Sequence, residues 1–70
     1  MTLDSINKGQ EVTIHKISKL DAKLFAYRLG INEGSKVKCI GKISNGPIIV
    51  RKNNQELAIG RNIAKNIEVK

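Results

Sequence analysis

Hydrophobic positions along this chain recur at every second residue more often than at every third or fourth. Glu11 to Ile17 reads E-V-T-I-H-K-I, with Val12 and Ile14 alternating with polar neighbours. That is the signature of a half-buried strand. Ser35 to Ile43 repeats it, with Val37, Cys39 and Gly41 on one face and Lys36, Lys38 and Lys42 mostly on the other. Gly41 inside that run predicts a bulge or sharp bend. Ile48 to Arg51 reads as a buried strand, Glu56 to Ile59 as the strand that returns, and Ile67 to Val69 as a short closing strand. Asn45-Gly46-Pro47 and Asn53-Asn54 supply the turns between them, because Gly and Asn tolerate positive φ and Pro cannot donate to a ladder.

One segment departs from this rhythm. Leu20 to Leu29 holds good helix formers and neither Gly nor Pro. Asp21 is the expected N-cap and Gly30 the expected left-handed residue after the helix. Leu20, Leu24 and Phe25 are expected on its inner face. A single helical turn is expected over Arg61 to Lys65. Five short strands in 70 residues cannot lie flat without leaving long edges, so the sheet must curl. The expectation is a mainly β, small SH3-like five-stranded barrel, with one α-helix between strands 1 and 2 and a helical turn before the last strand. An OB-like barrel is the runner-up. The expected core is Val12, Ile14, Leu24, Leu29, Val37, Cys39, Ile48, Val50, Leu57, Ile59, Ala64, Ile67 and Val69.

Composition narrows the function. A chain of 70 residues supports one domain, residues 1–70, since a single core needs most of so short a sequence. One cysteine excludes an intramolecular disulfide and points to the cytoplasm. The N-terminal residues have no apolar run like that of a signal peptide, and no stretch approaches the roughly 20 apolar residues of a membrane span. Thirteen Lys and Arg against six Asp and Glu give a net charge of +7, which invites an acidic partner. Single-strand binders, however, stack bases on aromatic side chains. Here the only aromatics, Phe25 and Tyr27, both fall in the helix. The dispersed lysines therefore read as a solvated surface, with a basic nucleic-acid-binding barrel as the alternative.

No catalytic constellation can be assembled. His15 is the only histidine and Cys39 the only thiol, and on alternating strands the first faces out and the second in. No third group is identifiable to orient a base. The chain has no paired-cysteine or paired-histidine spacing for a metal. His15 and Cys39 are left as the weak metal candidates, and no cofactor is required.

The glycine spacing matches a known pattern. Leu29-Gly30-Ile31-Asn32-Glu33-Gly34-Ser35-Lys36-Val37 resembles the L/M-G-L-x-P-G-x-x-V element of the FeoA family, and Gly46-Pro47-Ile48-Ile49-Val50 resembles its next strand. Leu57-Ala58-Ile59-Gly60 through Ala64, Ile67 and Val69 resembles the closing L-A-L-G-x-x-x-A-x-x-I-x-V, and Leu3 through Gly9 to Ile14 resembles the entry. Two departures stand out. Glu33 replaces the usual Pro, and Phe25-Ala26-Tyr27 stands where the family often has a basic residue and two leucines. The resemblance implies a small cytoplasmic, non-enzymatic accessory of ferrous iron transport. Its implied partner is the FeoB-type membrane transporter with its GTPase domain, the membrane being met only through that partner and nucleic acid not at all. The same fold serves iron-dependent repressors, so a metal-binding regulatory domain is a further alternative. A monomer or weak homodimer is expected. The expected partner-binding residues are Lys23, Phe25, Tyr27 and Arg28: either one ring is an exposed anchor beside the two cations, or both rings pack on the barrel.

Overall fold

The computed structural model describes residues Met1–Lys70. Five strands and two helices follow a 3-10 turn at Leu3–Ser5: β1 (Glu11–Ile17), α1 (Leu20–Arg28), β2 (Lys36–Lys42), β3 (Ile48–Lys52), β4 (Gln55–Ile59), α2 (Arg61–Ala64) and β5 (Ile67–Val69). All pairings are antiparallel, in the order β4-β3-β2-β1-β5. The architecture is the expected mainly β, SH3-like one, but the sheet is not closed, and β4 and β5 remain its two edges.

β1 explains how one sheet wraps a core. Glu11, Val12 and Thr13 pair with β2, whereas Ile14 to Ile17 pair with β5, with a register shift between Ile14 and Lys16. A strand that changes partners halfway must bend, and the bulge provides the bend. The predicted bulge at Gly41 is present as a register shift between Cys39 and Gly41. At the β5 edge Thr2 bridges Glu68, and Val69 N–H donates to the Met1 carbonyl at 2.8 Å. No backbone bond outside the β3–β4 ladder involves β4.

The core contains sixteen buried residues, all apolar, with no buried polar side chain. Leu3 and Ile6, absent from the expected core, are buried because the 3-10 turn places i and i+3 on one side. Leu29 and Leu57 are half-buried and pack against the core. Leu24 is a correction, lying on the surface. The expected N-cap also moves. Lys19 caps α1 with φ 69° and makes no side-chain bond, while Asp21 sits in the first turn and accepts from the Ala22 N–H at 2.8 Å. At the other end Gly30 has φ 73°, as predicted. The Ile31 N–H donates to the Ala26 carbonyl at 2.8 Å and the Gly30 N–H to the Tyr27 carbonyl at 3.2 Å. These are the paired bonds of a Schellman ending, and buried Ile31 supplies its apolar contact.

Arg61 ties α2 to the β2–β3 turn. Its Nε donates to the Gly46 carbonyl at 2.8 Å and a terminal nitrogen donates to the Ile43 carbonyl at 3.2 Å. Gly46 must stay small there, since a Cβ would meet the Ile43 side chain at 2.8 Å. No helix is long and apolar enough to cross a membrane.

Candidate functional site

The outer face of α1 leaves three large side chains exposed together. At 100° per residue, Leu20, Leu24 and Tyr27 fall on one side at i, i+4 and i+7, with Lys23 among them and Arg28 beside them. All five are exposed. Leu20 is 72% accessible, Leu24 48% and Tyr27 79%. The opposite side carries Ala22, Phe25, Ala26 and Leu29, again at helical spacing, with both alanines buried and Phe25 and Leu29 packed against the core. The two aromatics are thereby separated: Phe25 belongs to the packing and Tyr27 to the surface.

An open groove of about 420 Å³ adjoins this stripe, lined by Ile17, Lys23, Tyr27, Ile31, Asn32 and Glu33. Ile17 from the end of β1 and Ile31 from the Schellman ending form its buried floor. Lys23 and Tyr27 come from α1, and Asn32 and Glu33 from the loop that follows. Neither Lys23 nor Glu33 is in an ion pair, since the one salt bridge in the chain joins Arg51 to Glu56 at 2.8 Å. Of the expected partner-binding residues, Lys23, Tyr27 and Arg28 lie on this outer surface and Phe25 does not. Leu20, Leu24, Ile17 and Ile31 are not among the expected partner-binding residues, because apolar side chains at regular spacing normally read as core.

The structure does not bring the metal candidates together. Cys39 is fully buried, with its thiol donating to the Gly41 carbonyl at 3.6 Å across the bulge. His15 is exposed at the other bulge. Cys39 pairs opposite Gln10, so at about 3.3 Å per residue His15 lies on the order of 16 Å further along β1. No group of three or more His, Cys, Asp or Glu side chains is placed to hold a metal ion.

The face expected to carry Lys36, Lys38 and Lys42 is also interrupted. Lys38 pairs with Glu11 on one side and Arg51 on the other, and Arg51 pairs with Glu56, so two carboxylates balance two cations across four strands. Beyond the bulge Lys42 pairs with inward-facing Ile48, out of phase with Lys36 and Lys38.

Comparison with known proteins fits this picture. The FeoA domain family model matches residues 1–70. A protein of Methanocaldococcus jannaschii named "Putative Fe(2+) transport protein A" is 40% identical over 63 residues, covering 89% of this chain and 76% of its own length. The crystal structure of an iron uptake regulatory protein, FeoA, superposes with a TM-score of 0.88 at 22% identity, covering 100% of this chain and 97% of that one. The manganese regulator SloR shares the fold alone, with a TM-score of 0.89 at 11% identity over 99% of this chain and 33% of that one. With the family model spanning residues 1–70 and a relative 40% identical over 63 residues, this chain belongs to the FeoA family.

Proposed function

We propose that this protein is an accessory of ferrous iron transport that acts by docking on the cytosolic part of a FeoB-type transporter, and that the outer face of α1 makes the contact. The family assignment supports the transport role, and the family is one of accessory proteins, not of enzymes. The observation that carries the docking reading is the exposed stripe of Leu20, Leu24 and Tyr27 on a helix whose other face packs on the core. Large apolar side chains left contiguous at a surface mark a place where another protein sits. Tyrosine flanked by cations is a common anchor of such contacts. On this reading the protein works at the cytoplasmic side and reaches the membrane only through its partner.

The test is retention of the transporter's cytosolic domain by the immobilised protein, with and without guanine nucleotide. Binding in either state is the expected result. Failure in both states, with folded components, overturns the proposal.

A further inference from the structure

From the groove beside α1 we infer that the docking partner presents a net acidic, amphipathic helical segment, with one large apolar side chain seated between Lys23 and Glu33. The inference rests on the docking reading above and specifies what occupies that surface.

The floor of the groove is apolar, built by Ile17 and Ile31, and the Tyr27 ring stands at its edge. Such a depression removes one apolar side chain from water but is too open to enclose a small molecule. Its lining carries charge of opposite sign, Lys23 from the helix and Glu33 from the loop, each without an ion-pair partner of its own. Separate charges of opposite sign orient an incoming segment, because reversing it sets like charges together. Along the helix bearing Lys23, Lys19 at its cap and Arg28 in its last turn add exposed positive charge against Asp21. The excess is positive, so a net acidic segment complements it. The exposed stripe of Leu20, Leu24 and Tyr27 runs along the helix beside the groove and offers a second helix an apolar track at i, i+4 and i+7. Lys23 and Tyr27 belong to both the stripe and the groove and are the residues on which the contact turns.

The experiment measures the dissociation constant of the transporter's cytosolic domain for the unaltered protein, Tyr27→Ala, Lys23→Glu and a control of equal charge change, Lys42→Glu, at low and high salt. All three positions are exposed, and circular dichroism verifies that each variant is folded. Tyr27→Ala is expected to weaken binding about tenfold or more. Lys23→Glu is expected to weaken it about tenfold at low salt, with a smaller loss at high salt, and Lys42→Glu less than about threefold. Two synthetic helical peptides with the same apolar face, one net acidic and one with every charge reversed, then probe the occupant. The acidic peptide should bind the unaltered protein and lose affinity to Lys23→Glu.

Equal weakening by Lys23→Glu and Lys42→Glu, unchanged binding by Tyr27→Ala, or equal binding of the two peptides overturns the inference while leaving the docking proposal standing. So does loss of binding to anionic vesicles or single-stranded DNA by Lys23→Glu when the acidic peptide does not bind. Absence of any binding by the cytosolic domain overturns both.

Discussion

The inner side of α1 presents Ala22 and Ala26, at most 1% accessible, while its outer side presents Leu20, Leu24 and Tyr27, all at least 48% accessible. Both sides are apolar and both follow helical spacing, so hydrophobicity alone does not distinguish them. Position around the helix does. α1 lies against α2, whose own buried residue is Ala64, and the fully buried positions of α1 are likewise alanines, with the larger Phe25 and Leu29 only half-buried beside them. Small side chains let helix backbones approach closely. An amphipathic reading ranks residues by transfer free energy, but the available volume decides which ones enter a helix interface.

The inner side should be the less tolerant of the two. Ala26→Leu pushes three extra carbons into the tight interface and is expected to cost about 1–3 kcal/mol, measured by denaturant unfolding. If the protein accepts the leucine without loss, the interface is looser than the burial of Ala26 implies. The end of the helix comes next. Gly30→Ala forces a side chain into φ 73° and should cost about 1 kcal/mol by the same assay. No steric clash accompanies it, since nothing lies within 4 Å of the added Cβ, so any loss reports backbone conformation alone.

At the start of the helix the sign reverses. Lys19 holds φ 69° with ψ 141°, a conformation that costs a non-glycine residue energy. Lys19→Gly should therefore stabilise the protein, by about 0.5–1 kcal/mol against the unfolded chain's added freedom, read as a raised denaturation midpoint. The smallest effect belongs to the outer side. Leu24→Ala should change stability by no more than about 0.5 kcal/mol, while weakening capture of the transporter's cytosolic domain. A large stability loss there would move Leu24 back into the core and remove the stripe from the docking reading.

How much of this was legible depends on what the chain had to encode locally. The strands were legible to within a residue at each end, because Val12 and Ile14, Val37 and Cys39, and Ile67 and Val69 alternate with exposed neighbours. The helix ending was legible because Gly30 takes a left-handed conformation without penalty. The helix start was not. Asp21 is a good cap by residue type, yet the turn out of β1 through Ser18 and Lys19 sets the cap two residues earlier. Phe25 and Tyr27 could not be assigned to core or surface, because each falls on a stripe that satisfies helical periodicity. The groove was invisible for another reason. Ile17, Lys23 and Glu33 come from a strand, a helix and a loop, and no sequence spacing links them.

By itself, then, the sequence determined the order of elements, the bulge at Gly41, the turns, the left-handed glycine and the family, since each is set by local backbone chemistry or by a pattern of residues in line. Tertiary structure alone decided which face of α1 is inward, that the sheet stays open between β4 and β5, that His15 and Cys39 stand apart, and that Lys23 and Glu33 line one groove with Ile17 and Ile31. Those outcomes depend on how closely separate elements approach one another, which the packing of all of them settles together.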